Sequence, residues 1–220
     1  MNSYNYIVIE GNIGAGKTSL SKRIAEQFNS QLILEKFADN PFLPKFYENP
    51  ERYSFPLELS FLAERYHQLN KELNNRDLFS SFSVADYYFM KSLIFSKSTL
   101  SADEFNLYRQ LFDIIYNSLP KPDLFVYLHV SVEKLLKNIS KRGRDYEQNI
   151  SPDYLQSIQN GYFDFFKQTN DLTFLIIDTN DLDFVNNNED YDLLLDTIFN
   201  KSYNKGINRV TFDKNSKLFK

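Results

Sequence analysis

The run Gly11-Asn12-Ile13-Gly14-Ala15-Gly16-Lys17-Thr18 joins small residues to one cation and one hydroxyl, in the spacing Gly, four residues, Gly-Lys-Thr. That spacing suits phosphate binding. Its glycines let the backbone curl until successive N–H groups point inward at phosphate oxygens, and side chains at Gly14 or Gly16 would obstruct the approach. Lys17 is then expected to reach the β- and γ-phosphates, the Thr18 hydroxyl to meet a Mg²⁺ ion, and Ser19 to complete the nucleotide-binding stretch. Two acids stand where strands are expected to end, Glu35 and Asp86. In open parallel sheets ligands bind beyond the carboxyl ends of strands, so both are site candidates. Phosphoryl transfer needs a metal, charge neutralisation and a group that positions the attacking oxygen. Asp86 suits the metal beside Thr18, and Glu35 suits the proton of an acceptor hydroxyl. Arg142 and Arg144 occupy a basic turn, where guanidinium forks can fold over phosphates as a lid.

The elements that would position these groups can be read from periodicity. Tyr4 to Ile9 is a β-rich run before the glycines, and Leu20, Ile24, Ala25 and Phe28 recur at helical spacing after them. Leu32-Ile33-Leu34 reads as a short buried strand ending in Glu35, and Leu78 to Val84 as a third strand closing on Asp86. Asn49-Pro50 marks a break. From Phe55 a long helix is predicted, with Phe55, Leu59, Leu62, Tyr66, Leu69 and Leu73 as its apolar stripe and Glu58 and Arg65 on one face beside it. Ser101 to Glu104 is a capping box opening a helix with Leu107, Leu111, Phe112, Ile115 and Leu119 inward. Leu124 to Leu128 and Phe174 to Ile177 are the remaining strands, with helices predicted around Val132 to Ile139, after Ser151-Pro152 and over Asp190 to Phe199. Strands alternating with helices argue for a five-stranded parallel sheet flanked by helices, in the α/β class of P-loop folds.

With 220 residues the chain suits one α/β domain. No cysteine and two histidines argue against a disulfide scaffold and a zinc site. There is no apolar run near 18 residues and no charged-then-apolar leader, so neither a membrane span nor a signal peptide is expected and the cytoplasm is the expected location. The net charge of −4 hides an asymmetry: residues 201–220 hold six Lys or Arg against Asp213 alone, a local +5 that leaves −9 for the first 200. A solvated basic tail is expected there, rather than a nucleic-acid surface.

Several motifs together resemble the bacterial deoxynucleoside kinases of the deoxyguanosine and deoxyadenosine kinase type. These are the phosphate loop at 11, Asp-Asn-Pro-Phe-Leu at 39, Phe-Tyr-Glu-Asn-Pro-Glu-Arg-Tyr-Ser-Phe at 46, Leu-Pro-Lys-Pro-Asp-Leu at 119 and Lys-Arg-Gly-Arg-Asp-Tyr-Glu at 141. The resemblance runs over roughly residues 4 to 200 and leaves the basic tail outside. It implies a kinase domain over 1–200 with a lid near 141–149, ATP and Mg²⁺ as cofactors, a deoxynucleoside substrate and a homodimer. By the same resemblance, Glu35 accepts the 5′-hydroxyl proton, Tyr47 and Glu147 hold the 3′-hydroxyl, Arg142 and Arg144 are lid arginines, and Glu58 with Arg65 faces the base. Asp86 matches the acid of an Asp/Glu-Arg-Ser motif, but Tyr87 and Tyr88 replace its arginine and serine. The usual arginine is therefore missing.

Two other functions are weighed against this. A nucleoside monophosphate kinase needs a pocket for a dianionic acceptor, and Glu35, Glu58 and Glu147 disfavour one. A nucleotide-dependent switch needs an Asp-x-x-Gly turn after the phosphate loop, and Gly143, Gly161 and Gly206 follow Ser140, Ile158 and Tyr203 instead.

Overall fold

Alternation along the first strand sets the layers of the molecule. In β1 (Tyr6–Gly11) every residue is buried; Ile7 and Ile9 enter one apolar cluster, and Tyr6 and Val8 enter a second on the opposite face of the sheet. The computed structural model describes residues 4–36, 40–75, 79–144, 147 and 150–212. Asp39 of the 39–43 motif, Leu78 at the head of the expected third strand, Asp145, Tyr146, Gln148 and Asn149 of the expected lid, and residues 213–220 of the expected tail lie outside the described residues.

The other strands are β2 (Gln31–Ile33), β3 (Ser83–Ala85), β4 (Leu124–His129), β5 (Thr173–Asp178) and β6 (Gly206–Val210). All pair in parallel, in the order β2-β3-β1-β4-β5-β6. This is the predicted α/β fold with one strand more than expected. The sixth comes from the segment expected as a solvated tail: Gly206 to Val210 alternate between half-buried and exposed and add to the free edge of β5. An edge strand needs few apolar residues, so its composition reads as that of a loop.

Eight helices of the described residues cover the two faces. α1 (Lys17–Phe28), α6 (Val132–Arg142) and α8 (Asn188–Phe199) pack into the first cluster. α3 (Pro50–Asn74), α4 (Lys91–Thr99), α5 (Ala102–Tyr116) and α7 (Pro152–Gln168) pack into the second, and short α2 (Leu43–Glu48) lies against α3. The predicted capping box of α5 forms, and Ser151 caps α7 by accepting from the Tyr154 backbone N–H. Two stripes turn differently from expectation. α3 begins at Pro50, with Asn49 as its cap, and buries Leu57, Glu58, Phe61, Leu62, Arg65 and Leu69 while Leu59 is exposed. α5 buries Tyr108 and Phe112 and exposes Leu107 and Ile114. On α5 the large aromatic side chains, which bury more area than leucine, take the inward face.

Between β1 and α1 the chain turns through Gly14 and Gly16, both at positive φ, the second as the N-cap of α1. A Cβ on Gly16 would lie 2.7 Å from the Phe184 ring. Gly16→Ala combines that overlap with a left-handed backbone and is expected to cost about 1–3 kcal/mol. Urea unfolding checks this, and a stability equal to that of the wild type would contradict it.

Candidate active site

The phosphate loop is held from two sides. Asn138 on α6 donates to the Gly14 carbonyl at 2.9 Å, and Asn12 reaches across to the Leu155 carbonyl at 2.7 Å. Lys17 donates to the Asn12 carbonyl at 2.9 Å and closes the loop on itself. Burial and the nearby Lys91 lower the Lys17 ammonium to about 8, against the pull of Glu10, Glu35 and Asp86. Gly11 and Asn12 shape the loop, whereas Gly14 to Ser19 line the space above it.

The two strand-end acids meet that loop. Asp86, just past β3, accepts the Thr18 hydroxyl at 2.5 Å on Oδ2 and the Glu35 backbone N–H at 2.7 Å on Oδ1. A hydroxyl and a carboxylate side by side are hard oxygen donors of the kind Mg²⁺ takes with substrate phosphates and water, so the residues present fit that ion. Among the described residues no cluster of three or more His, Cys, Asp or Glu forms a self-sufficient metal site.

Glu35, just past β2, is enclosed by two cations. Arg65 on α3 donates to Oε1 from Nε at 2.9 Å and Nη2 at 2.6 Å, and Lys91 on α4 donates to Oε2 at 2.5 Å. Arg65 also donates from Nη1 to Ser92 at 2.9 Å. Burial raises the Glu35 carboxyl, but Lys91 and Arg65 outweigh it and hold the group at about 2. Arg65, placed beside Glu58 in sequence terms, thus pairs with Glu35, and no ion pair links it to Glu58.

Glu58 is 3% exposed. Its Oε1 accepts the Thr99 hydroxyl at 2.8 Å and its Oε2 has no hydrogen-bond partner among the described residues. Desolvation raises it to about 7, more than Arg65 and the Thr99 hydrogen bond lower it. At the lid, α6 ends on Gly143 at positive φ, and both Arg142 and Arg144 pair with the buried carboxylate of Glu147, the second at 3.2 Å.

One cavity brings these groups together: Lys17, Thr18, Glu35 and Asp86 from the sheet end, Glu58 and Arg65 from α3, and Tyr47, Arg142, Arg144 and Glu147 from α2 and the lid. A second cavity on the far side of the loop is lined by Lys134, Asn138, Thr179 and Phe184, and Gly14 and Arg142 line both. Sequence reasoning missed Lys91, Ser92 and Thr99. No motif marks them, and the only hint was the absent arginine after Asp86. The argument from acids against a phosphorylated acceptor also weakens, because cations neutralise Glu35 and Glu147.

The sequence model of the deoxynucleoside kinase family matches residues 7–203. The chain is 37% identical over 196 residues to a deoxyguanosine kinase of Bacillus subtilis, covering 87% of this chain and 95% of that one. It is 33% identical over 190 residues to a deoxyadenosine kinase of Lactobacillus acidophilus, covering 82% and 88%. Among solved structures, deoxyadenosine kinase from M. mycoides with the products dCMP and a flexible dCDP bound superposes with a TM-score of 0.76 at 25% identity, covering 88% of this chain and 98% of that one. No helix of the described residues is long and apolar enough to cross a membrane.

The Glu58 environment has a consequence for stability. Its carboxyl is raised from 4.5 to about 7 on folding, so the folded state keeps a proton that the unfolded state releases between those values. The Glu58 contribution to stability is therefore full below pH 4.5, falls as pH rises towards 7 and levels off above it. Glu58→Gln removes that loss and is expected to gain on the order of 2 kcal/mol on the wild type between pH 5 and pH 8. Urea unfolding of both proteins at the two pH values checks it; a difference that does not change with pH would contradict it.

Proposed function

The chain belongs to the deoxynucleoside kinase family, whose members phosphorylate an alcohol group, and from that premise we propose that it transfers the γ-phosphoryl group of ATP to the 5′-hydroxyl of a purine deoxynucleoside, deoxyguanosine ahead of deoxyadenosine. Nucleotide salvage in the cytoplasm by a homodimer completes the reading, with residues 1–200 carrying the kinase site and β6 adding to the same sheet beyond them. The observation that carries the purine preference is Glu58 Oε2, a buried carboxylate oxygen without a hydrogen-bond partner among the described residues, lining the cavity that Glu35 shares.

Guanine presents two donors side by side, N1–H and the 2-amino group, and an ionised carboxylate, which only accepts, takes both. Adenine offers an acceptor at N1 beside its 6-amino donor, which suits an amide. Arg65 retains N–H groups beyond those given to Glu35 and Ser92 and is assigned to the base as well. Tyr47 and Glu147 hold the 3′-hydroxyl. Gly11 to Ser19 bind ATP, with Lys17 on its β- and γ-phosphates, and the lid over 141–149 brings Arg142 and Arg144 to the transferred group. Thr18 and Asp86 would hold Mg²⁺, which supplies charge neutralisation on the phosphates when bound. Glu35 accepts the proton of the 5′-hydroxyl.

Glu35→Gln is expected to lower kcat by about 10²–10⁴ with the fold intact. Near-normal turnover in a folded variant would remove Glu35 from the role. The base assignment is tested separately, at pH 8, where Glu58 is ionised. A mismatched buried polar pair costs about 1–3 kcal/mol, which is roughly ten- to hundredfold in kcat/KM. Glu58→Gln should therefore shift the kcat/KM ratio from deoxyguanosine towards deoxyadenosine by that order. An unchanged ratio, or a wild type that already prefers deoxyadenosine, would exclude this mode of base reading.

A further inference from the structure

Lys91 stands in an unfavourable place for a lysine. It is the first residue of α4, where the helix dipole repels a cation, no acid shares that first turn, and it is 7% exposed. Buried lysines are retained only where something compensates for lost hydration. Here the compensation comes from Glu35 Oε2 and from the Phe95 ring, whose centroid is 5.2 Å from the ammonium.

The same segment resolves where the missing arginine went. Tyr87 and Tyr88 are buried in the core; their hydroxyls donate to Gln68 at 3.0 Å and Tyr116 at 3.2 Å, away from the cavity. The next cation along the chain is Lys91, which does line the cavity. An ionised carboxylate offers about four acceptor positions. Arg65 takes two on Oε1 and Lys91 takes one on Oε2, so the position left for a substrate hydroxyl is on Oε2, next to the ammonium.

We propose that Lys91 is a positioning residue that makes Glu35 Oε2 the atom accepting the substrate proton, and that it supplies from α4 the cation absent at position 87. This rests on the reading of Glu35 as the acceptor of that proton. In the step, the O5′–H bond breaks and its proton passes to Oε2. O5′ bonds to the γ-phosphorus, and the bond from that phosphorus to the bridging oxygen breaks, its electron pair leaving on ADP. Lys91 stays protonated. Once Oε2 is neutral the ammonium has lost the carboxylate charge it donates to, and it faces the same cavity as Lys17 and the lid arginines, where the transferred group carries negative charge.

The chain contains no cysteine, so Lys91→Cys introduces a single thiol. Alkylating it in denaturant with 2-bromoethylamine forms a thioether, expels bromide and restores an ammonium at nearly lysine length; the protein is then refolded. Lys91→Cys is expected to lower kcat for deoxyguanosine by about 100-fold with KM within about threefold, and aminoethylation to recover at least about tenfold of it. In a Glu35→Gln background the same change should cost less than about threefold more, because the two act as a unit. A kcat near that of the wild type, a loss confined to KM, no recovery in the fully alkylated protein, or an equal loss without Glu35 would each overturn the proposal. Should the cysteine variant not refold, Lys91→Arg decides: activity within about tenfold supports the role, and any larger loss in a folded protein overturns it. A wild type that phosphorylates no deoxynucleoside is a different outcome, and it overturns the reading of acceptor and base.

Discussion

Keeping Glu35 ionised away from water is the constraint on which the site depends. A lone carboxylate at a strand end, covered by helices, would take up a proton; burial alone drives Glu35 in that direction. Two cations from two helices reverse it, Arg65 from α3 and Lys91 from α4. The arrangement also ties the fold together. Ser92, next to Lys91, holds the Arg65 fork, and Asp86 accepts the backbone N–H of Glu35, so β2, β3, α3 and α4 meet at one charged node. Removing a single member would leave a buried charge uncompensated, which is far more costly than losing an exposed ion pair.

A second buried acid stabilises the loop from behind. Glu10, at the end of β1, is fully buried and accepts from the Tyr88 backbone at 2.8 Å, the Tyr162 hydroxyl at 2.8 Å and the Gly11 backbone at 3.2 Å. Desolvation raises its carboxyl, with Lys91 and Lys17 opposing. Both lysines thus face more than one acid, and burial together with their mutual repulsion draws the Lys17 ammonium down. An added anion such as a triphosphate would relieve that repulsion, which is the electrostatic preparation a phosphate site needs.

Legibility from sequence followed the kind of residue that was buried. The phosphate loop, the strands around it and both strand-end acids were readable because apolar runs and glycines carry their own periodicity. α4 was not. Its buried residues include Lys91, Ser92 and Ser96 with only Ile94 apolar, so no stripe announces a helix, and the cation that clamps Glu35 went unseen with it. On α3 the buried face carries Glu58 and Arg65, and an apolar stripe drawn through Leu59 therefore pointed partly outward. In both cases polar residues were placed inside by the chemistry of the site, against the pattern that folding alone would favour. β6 escaped for the opposite reason, since an edge strand needs little burial to form.

A carboxylate held at about 2 is a weak base, and this bears on what Glu35 contributes. If the reaction required a proton to be removed early, two clamping cations would hinder it, because each point by which they lower the carboxyl weakens its pull on the hydroxyl. Phosphoryl transfer has a loose transition state in which the attacking oxygen has gained little bonding and its proton is lost late. Orientation then matters more than basicity. On the proposed assignment, Glu35 aims the 5′-oxygen at the γ-phosphorus, and the proton moves when the new bond is well advanced and the hydroxyl has become far more acidic. The cations that weaken Glu35 as a base hold it rigidly, as in-line attack requires, and they stand ready in the same cavity for the charge that transfer develops.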